Sequence, residues 1–329
     1  MHVPVLLHEV LDGLSPQLGE FHIDGTLGAG GHTRAIIERI SPGGTLLAVD
    51  RDPRAVAAFN QSYESPKTTR VITEAVSYSQ LPLLLAKYQL PQADGLLLDL
   101  GFSSEQLAGG ALAGRGFSFT VDEPLLMTYD DATPSVAQLL AELSVVDLAA
   151  IIREYGEERY AKEIANSILQ ISEREGIATT FQLVRAIKDA VPASYEQGRL
   201  NPATRTFQAL RIYANSELQQ LEVLLGALPS IVRKGGRVAI ISFHSLEDRI
   251  VKNYFRQYSR LRDSYGEPSR DRGGSSVEGS YQRSKSLAGE LPNSTPASAA
   301  GTKKPITATE QEMAANPRAR SAKLRILYL

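Results

Sequence analysis

The sequence predicts an α/β protein with a Rossmann-like, doubly wound sheet and an inserted helical domain. Three observations lead to this fold class. Short apolar runs alternate with stretches of helical spacing in the first third of the chain, and a glycine-rich loop follows the first run. A long block of helical spacing then separates the fourth apolar run from the fifth. Alternating strands and helices typically form a parallel sheet covered by helices on both faces.

The first four strands are predicted at residues 21–24, 45–50, 70–74 and 95–100. The run at 95–100 is apolar on both faces, as expected inside a parallel sheet. Residues 32–40 have helical spacing. A further helix begins after Arg51, because Asp52 is placed to cap it and Pro53 suits its first turn.

The alternation stops after the fourth strand. Helical spacing follows at residues 136–155, 158–175 and 181–191, and the later elements are a strand at 235–243, a helix at 246–258 and a last strand at 323–329. We therefore predict a discontinuous sheet domain, 1–103 and 209–329, with residues 104–208 as a helical insertion. Such an insertion lies beside the carboxyl ends of the strands, where ligands bind, and is a candidate substrate-recognition domain. Residues 264–304, rich in Ser, Gly, Pro and charges, are predicted to be a mobile insert.

Composition restricts the class of protein. A chain of 329 residues can bury one sizeable core and a smaller inserted domain, and its 43% hydrophobic and 22% charged residues are typical of a globular protein. No apolar run approaches the roughly 20 residues that span a bilayer, and the N-terminal segment has no basic leader. Without cysteine, a disulfide framework, a thiolate nucleophile and a zinc–thiolate cluster are excluded. We expect a cytoplasmic protein with no membrane and no metal site.

A candidate cofactor site follows the first strand. The loop Gly28-Ala29-Gly30-Gly31-His32 lacks the last glycine of the dinucleotide fingerprint. Asp24, just before it, suits a cationic amino-acid moiety better than a phosphate. Asp50 can accept hydrogen bonds from two ribose hydroxyls, in a nicotinamide enzyme or in an S-adenosylmethionine enzyme.

Asp99 ends the fourth strand, where amino-directed methyltransferases approach the methyl acceptor. Each of these acids alone could be a strand-end cap. Three acids on strand tips of one sheet, together with a glycine loop, favour a cofactor site.

The charge distribution admits an RNA partner without establishing one. Net charge is −2 over the whole chain. From Arg249 to the end, however, 15 Lys/Arg stand against seven Asp/Glu, a local excess of +8. Within this segment, a basic cluster able to hold an RNA backbone comprises Arg318, Arg320, Lys323 and Arg325. A solvated basic tail explains the charge equally well.

Longer motifs go beyond this generic pattern. They include DGTLGAGGHT, LLAVDRDPRAV, LLLDLGFSSEQL, GRGFSFTVDEPLLM, YGEERYAKEIANSI, NPATRTFQALRI, ISFHSLEDRIVKNYFR and ITATEQEMAANPRARSAKLR. With these motifs the chain resembles the RsmH (MraW) family of bacterial small-subunit ribosomal RNA cytidine-N4 methyltransferases. The resemblance covers nearly the whole chain except residues 264–304.

The resemblance implies a class I S-adenosylmethionine methyltransferase fold with a helical insertion, and S-adenosyl-L-methionine as cofactor. It implies that the loop contacts the cofactor and that Asp50 binds the ribose. The implied cofactor-binding residues are Gly30, Gly31, His32, Asp50, Tyr78, Asp99 and Gln106. The implied target is a cytidine in the decoding region of small-subunit (16S) ribosomal RNA. Because RNA in folded particles is recognised by shape, we expect an assembled or nearly assembled 30S subunit as partner.

Three departures from the family pattern lie toward the substrate side. Phe102 stands where the family usually has valine. Residues 123–130 lack the internal acid and the arginine of the usual segment, and Asn201 stands where histidine is common. The cofactor loop keeps the family pattern.

Candidate substrate residues each have an ordinary structural alternative. Asp99 is the candidate catalytic residue, as acceptor of an amine N–H, but it could instead only orient the cofactor. Phe102 could stack on the target base, although packing explains it at least as well. His244 could donate to the substrate or be a structural histidine.

Two arginines with neighbouring aromatics suit contact with unpaired RNA bases. Arg115 precedes Phe117, and Arg205 precedes Phe207. Arginine stems covering apolar surface are the ordinary alternative. With Asn201, these two arginines complete the candidate substrate set.

Two other functions remain open from the sequence. A nicotinamide-dependent oxidoreductase shares the sheet and Asp50, but the glycine spacing disfavours it. An RNA-binding ribosome-assembly factor that keeps the cofactor with little or no turnover is compatible with the departures at 123–130 and 201.

Overall fold

One mixed sheet organises the molecule. The computed structural model describes residues 4–64, 66–101, 113–195, 201–260 and 301–329, and residues 261–265 as backbone only. Within this part of the chain the sheet order is β3-β2-β1-β4-β5-β6. The strands are β1 (Phe21–Asp24), β2 (Thr45–Val49), β3 (Arg70–Glu74), β4 (Ala93–Asp99), β5 (Val232–Ser242) and β6 (Lys323–Tyr328). Neighbouring strands from β1 to β5 pair in parallel, whereas β6 pairs antiparallel with β5. The predicted α/β fold class is confirmed.

Helices connect these strands in the predicted alternation. Those of the sheet region are α1 (Leu7–Leu14), α2 (Gly31–Ile40), α3 (Pro53–Ser62) and α4 (Leu81–Tyr88). Between β4 and β5 follow α5 (Val136–Glu142), α6 (Val145–Gly156), α7 (Ala161–Glu175), α8 (Thr180–Ala190), α9 (Thr204–Asn215) and α10 (Glu217–Ile231). After β5 come α11 (Ser245–Tyr265) and α12 (Glu310–Ala315), and short 3₁₀ helices span Tyr78–Gln80 and Pro317–Arg320. No helix of the described residues is both long and apolar enough to cross a membrane.

Local sequence explains where several helices begin. The Asp52 side chain accepts the Arg54 N–H at the start of α3, with Pro53 in the first turn, as predicted. The helical pattern at 136–155 forms two helices rather than one. Leu143 is extended, and the Ser144 hydroxyl accepts the Asp147 N–H, so that a new helix begins there.

Two apolar layers cover the sheet, one on each face. Alternate strand residues enter different layers, since successive side chains of a strand point to opposite faces. Leu96 packs with α4, α10 and α11. Leu97 packs with α1, α2 and α3. Both side chains are fully buried, which explains the continuous apolar run of this central strand.

The helical block has a separate apolar core. Side chains of α5, α6, α7, α8 and α9 form it, among them Ile152, Ile164 and Leu183. Phe207 and Leu210 of α9 both belong to it, on either side of the predicted boundary at residue 208. The apolar packing of the block therefore continues to the end of α9, while the two-domain division itself stays a prediction. The predicted mobile insert falls largely on residues 266–300, outside the described part of the chain.

Candidate cofactor and substrate site

A cleft opens where the direction of the sheet order reverses, between β1 and β4. Parallel sheets bind ligands at such a switch point, outside the carboxyl ends of the strands. The cleft encloses about 740 Å³ of empty space, part of it open to solvent. Its lining residues are Gly25, Thr26, Gly28, Asp50, Arg51, Tyr78, Asp99, Leu100, Gly101, Tyr129, Glu217, Leu221 and Glu247.

Asp24 shapes the glycine loop from inside the protein. Its carboxylate is 1% exposed and accepts hydrogen bonds from the Thr33 hydroxyl at 2.6 Å and the Thr26 N–H at 3.0 Å. Burial raises the pKa of this carboxyl. The sequence suggested a contact with a cationic ligand, but these bonds favour a role in holding the loop.

The two predicted loop glycines allow close packing at the start of α2. Gly30 has φ +76°, and a Cβ there would lie 2.3 Å from a ring carbon of Phe59. A Cβ on Gly31 would lie 2.4 Å from Pro4. Gly31 and His32 line a second cavity described below, whereas Gly30 lines neither cavity.

Asp50 lies in the cleft just after β2. Its two carboxylate oxygens accept the Gly28 N–H at 2.8 Å and the Asp52 N–H at 2.9 Å. Burial raises the pKa of Asp50 to about 6. Since each carboxylate oxygen has a further acceptor site, the group can still accept two hydroxyl donors from a ligand.

The opposite wall of the cleft comes from the chain between β4 and β5. The Tyr129 hydroxyl donates to Oε1 of Glu217 at 3.1 Å, and the Arg51 guanidinium lies 5.2 Å from the Tyr129 ring centre. Arg51 also donates to the Asn215 carbonyl at 2.6 Å. The sequence assigned no role to Tyr129 or Glu217, although Tyr129 lies in the 123–130 segment that departs from the family pattern, because only the fold brings the two residues opposite β2. Arg51 could have been suspected from its place beside Asp50.

Tyr78 lies in the cleft as predicted. It is in the short 3₁₀ helix after β3, and its hydroxyl is 3.5 Å from the Glu217 carbonyl oxygen, a weak hydrogen bond. Burial raises the pKa of Tyr78, so the phenol is neutral at physiological pH.

A polar cluster at the start of α11 adjoins the cleft. Nε2 of His244 is 3.1 Å from Oε1 of Glu247, and the other Glu247 oxygen accepts the Phe243 N–H at 2.9 Å. Burial acts to raise the pKa of Glu247, but His244 and Arg211 bring it below its ordinary value. Glu247 lines the cleft, and His244 is not among its lining residues.

Glu217, His244 and Glu247 bring ligand-type atoms within 4.8 Å of one another. The Arg211 guanidinium nevertheless donates to Oε2 of Glu217 at 2.9 Å, and Tyr129 occupies the other Glu217 oxygen. This positive charge and these hydrogen bonds fit an ion-pair network better than a metal centre. The absence of a metal stays a prediction.

A second cavity shares Thr26, Gly28, Asp99 and Gly101 with the cleft. It holds about 370 Å³ of empty space. Its lining residues are Pro4, Thr26, Leu27, Gly28, Ala29, Gly31, His32, Asp99, Gly101 and Arg318. Nδ1 of His32 is 3.8 Å from Oδ2 of Asp99, and Nε2 is 3.0 Å from the Val5 carbonyl oxygen. Asp99 therefore faces both cavities from the tip of β4.

Arg115, a candidate RNA contact, is turned into the protein. It is 7% exposed, and its guanidinium donates to the Thr128 carbonyl, the Asp130 carbonyl and the Asp131 carboxylate, each at 2.6 Å. These bonds fix the turn that carries Tyr129. They favour a structural role, and RNA contact by Arg115 stays an untested prediction.

Arg205 and Asn201 also have partners of their own. The Arg205 guanidinium donates to the Tyr195 hydroxyl at 2.9 Å and lies 3.7 Å from the buried Glu158 carboxylate. The Asn201 side chain accepts the Ala203 N–H at 2.9 Å, just before α9. Their predicted substrate roles are likewise untested, and neither residue lines the cleft.

Two predicted residues, Phe102 and Gln106, lie outside the described residues.

The four residues of the basic cluster near the C-terminus have two kinds of surroundings. The Arg325 guanidinium donates to the Asp248 carboxylate at 2.7 Å, and the Lys323 ammonium is 3.6 Å from the same carboxylate. Arg318 instead lines the second cavity, and Arg320 is exposed.

Comparison with known proteins identifies the family. The model of the MraW methylase family matches residues 1–267. This chain belongs to that family. The ribosomal RNA small subunit methyltransferase H of Syntrophotalea carbinolica is 42% identical over 331 residues, which cover 99% of this chain and 97% of the relative.

The proteins of the same name from two other bacteria give similar values. That of Geotalea daltonii is 43% identical, covering 98% of this chain and 97% of its own. That of Nitrosospira multiformis is 45% identical, covering 78% of this chain and 79% of its own. The resemblance stated from the sequence motifs is confirmed, and membership makes this chain an enzyme of the methyl-transfer class.

Proposed function

We propose that this chain is an S-adenosyl-L-methionine-dependent methyltransferase that modifies the N4 amino group of a specific cytidine in the decoding region of 16S ribosomal RNA. The substrate we propose is an assembled or nearly assembled 30S subunit in the cytoplasm. The names of the relatives support ribosomal RNA as substrate class.

The charge of the cleft is the main observation that supports S-adenosyl-L-methionine as the cofactor. Four carboxylates line it, on Asp50, Asp99, Glu217 and Glu247, against one guanidinium, on Arg51. An acidic cleft suits a sulfonium cation with an amino-acid moiety. It disfavours the pyrophosphate of a nicotinamide dinucleotide, which needs positive or N–H-rich surroundings.

The residues present fit this cofactor. A volume of about 740 Å³ is in the range of nucleotide-sized sites. Asp50 is the acceptor for ribose hydroxyls, and the neutral Tyr78 adds an aromatic wall on the β3 side. Gly28 has φ +49°, and a Cβ there would meet only the Thr26 carbonyl oxygen, at 3.9 Å, so this loop leaves open space on the cleft side.

Asp99 is the residue for which we propose a catalytic role. The bound cofactor supplies an electrophilic methyl group. A cytosine amine is a weak nucleophile because its lone pair is delocalised into the ring. Asp99, at a strand tip and facing both cavities, can accept an amine N–H and favour the pyramidal nitrogen. Most of the rate enhancement would come from positioning the amine in line with the methyl group.

Methyl transfer from labelled S-adenosylmethionine to unmodified small subunits, with nucleoside analysis, tests this function. We expect N4-methylcytidine with the natural chain. We expect the transfer rate to fall by about 10²- to 10⁴-fold in Asp99→Ala. Cofactor affinity, measured separately by calorimetry, reports how far Asp99 also orients the cofactor.

Two outcomes would contradict the proposal. A labelled nucleoside other than N4-methylcytidine would refute the target atom. No label despite tight binding of cofactor and subunit would favour the alternative, an assembly factor with little or no turnover.

A further inference from the structure

Thr26 is a residue of the glycine loop whose side chain has no role so far. Its hydroxyl oxygen accepts the backbone N–H of Asp99 at 2.6 Å, across 73 positions of the chain. Thr26 is the second residue after β1, and Asp99 is the last residue of β4. The bond therefore ties the loop to the strand tip that carries the proposed catalytic carboxylate.

The hydroxyl replaces a backbone acceptor where the pairing of β1 with β4 ends. The last paired residues are Asp24 and Leu97. One residue further on, the Gly25 N–H still donates to the Leu97 carbonyl at 2.9 Å. The next N–H of β4 that points toward β1 is that of Asp99, and it meets the Thr26 hydroxyl in place of a carbonyl. A backbone N–H that is removed from water needs such an acceptor.

The other side of the strand tip is held by the backbone of β5. Asp99 pairs with Ile241, and the Leu100 N–H donates to the Ile241 carbonyl at 3.0 Å. The tip of β4 is thus bonded to β5 through Leu100 and to the glycine loop through Asp99. Loss of the Thr26 hydroxyl would remove the bond on the loop side and leave the bond on the β5 side.

Asp24 fixes the orientation of Thr26. One oxygen of this buried carboxylate accepts the Thr26 N–H at 3.0 Å and lies 3.4 Å from the Thr26 hydroxyl. The hydroxyl proton can point to this oxygen while the hydroxyl oxygen accepts from Asp99, so the group both donates and accepts. The other Asp24 oxygen accepts the Thr33 hydroxyl at 2.6 Å. In the described part of the chain, Thr33 shares Asp24 with Thr26 but forms no hydrogen bond with Asp99.

The position of the Asp99 carboxylate follows the backbone that carries it. This carboxylate lines both cavities, and its proposed role is to accept an N–H of the methyl-accepting amine. Catalysis by positioning is sensitive to small shifts, since a displacement of about 1 Å can cost about 100-fold in rate. A bond that fixes the Asp99 backbone therefore supports the reaction without touching the substrate.

We propose that Thr26 is a positioning residue, which holds the tip of β4 through the Asp99 N–H so that the Asp99 carboxylate meets the amine of the target base. Thr26 lines both cavities, but its hydroxyl is directed to Asp99 and Asp24. This inference rests on the proposed function, because it presupposes the catalytic role proposed for Asp99.

The test uses two pairs of side chains that differ in the hydroxyl. Natural Thr26 is compared with Thr26→Val, and Thr26→Ser is compared with Thr26→Ala. Thr33→Val is the matched control, because it removes a hydroxyl bond to the same Asp24 and leaves the Asp99 N–H bonded. Three quantities are measured on the full chain: the single-turnover transfer rate at saturating cofactor and small subunits, the affinity for S-adenosylhomocysteine, and the midpoint of urea unfolding.

We expect Thr26→Val and Thr26→Ala to slow transfer by about 10- to 100-fold, because Asp99 loses the bond that fixes its backbone. Thr26→Ser should keep a rate close to that of the natural chain. Thr33→Val should lower the unfolding midpoint at least as much as Thr26→Val, since Thr33 is fully buried, but should keep the rate. Affinity for S-adenosylhomocysteine should be unchanged in the Thr26 variants, which also shows that they are folded.

Four results would overturn the inference. The first is a natural transfer rate in Thr26→Val and Thr26→Ala. The second is an equal loss of rate in Thr33→Val, which would assign the effect to the integrity of the loop. The third is a cofactor affinity that falls as much as the rate, which would make Thr26 a cofactor contact. The fourth is a Thr26→Ser variant as slow as Thr26→Ala, which would show that the hydroxyl is not the group required.

Failure of the proposed function gives a different result. If Asp99→Ala keeps the natural transfer rate, the catalytic role of Asp99 fails, whatever the Thr26 variants do. If the natural chain forms no N4-methylcytidine, the proposed reaction fails. The four results above are all read against a natural chain that forms this product and an Asp99→Ala variant that is slow.

Discussion

The carboxyl ends of the strands and the helical block use their charged side chains in opposite ways. At the strand ends, Asp50 and Asp99 lie against backbone N–H groups and still face a cleft. In the helical block, Arg115 and Arg205 are turned toward carbonyls, hydroxyls and carboxylates of the same block. One region offers charge to a ligand, whereas the other uses charge to hold its own loops.

The difference follows from how the backbone N–H and C=O groups of each region find hydrogen-bond partners. Strands of a parallel sheet all end at one edge, and the loops there converge without a helix to cover them. Side chains at that edge can therefore face the cleft, as those of Asp50 and Asp99 do, whereas Asp24 turns inward to hold the glycine loop. The helical block must instead fix long connections between helices, and a buried guanidinium bonds several carbonyls at once. Position in the fold, more than residue type, decides which charges are available.

The largest expected effect on cofactor binding concerns Asp50. The carboxyl has a pKa of about 6, so the ionised form that accepts ribose hydroxyls is complete above that pH and is lost below it. We expect affinity for S-adenosylhomocysteine to weaken about tenfold per pH unit below about pH 6. Asp50→Asn should bind roughly 10- to 100-fold more weakly at pH 7.5 and lose this pH dependence. Calorimetric titration from pH 5 to 8 measures both quantities; an unchanged pH profile in Asp50→Asn would exclude Asp50 as the titrating group.

The next effect tests the inward-facing arginines. Arg115→Met should lower the free energy of unfolding by about 3 kcal/mol, because it leaves buried carbonyls without donors. Urea unfolding measures this, with Arg185→Met as control, since Arg185 is 77% exposed on α8. Subunit affinity of the folded Arg115 variant should match that of the control. A selective loss of subunit affinity would show that Arg115 contacts RNA, contrary to the contrast drawn above.

The smallest effect compares two helix caps. Asp52→Ala at α3 and Ser144→Ala at α6 should each lower the free energy of unfolding by about 1 kcal/mol. Only Asp52→Ala should also weaken cofactor binding: the variant keeps the backbone N–H that donates to Oδ1 of Asp50, but loss of the side-chain cap loosens the start of α3 that holds this N–H in place. Paired unfolding and cofactor titrations measure the two effects. Equal cofactor affinity in both variants would mean that the start of α3 does not position Asp50.

Much of the sheet domain could be predicted because its signals are local. The buried run ending at Asp99, the cap at Asp52 and the glycine loop each follow from residues close in sequence. The break between α5 and α6 was missed, because the apolar periodicity continues across Leu143 and Ser144 while the cap at Ser144 starts a new helix. The boundary at residue 208 stays a prediction; apolar packing of the helical block continues beyond it to the end of α9, and the periodicity of α9 alone does not reveal which core that helix joins.

The candidate site shows the same limit. Asp50, Tyr78 and Asp99 were predicted and do line the cleft; Asp99 ends β4, and the other two residues follow β2 and β3. Tyr129 and Glu217 were missed, because the contact with the β2 end spans a long loop and several helices. No spacing rule relates such distant segments.

The sequence by itself determined the fold class, the acids at the strand tips and the family, since hydrophobic period, capping and motif spacing are properties of neighbouring residues. Only the tertiary structure decided which charged groups face a ligand. Arg115 and Arg318 look alike in sequence, but the Arg115 guanidinium donates to the turn beneath Tyr129, whereas Arg318 lines a cavity beside Asp99. The physical reason is that a guanidinium bonds the acceptors that lie nearest in space, and chain folding alone brings those acceptors together.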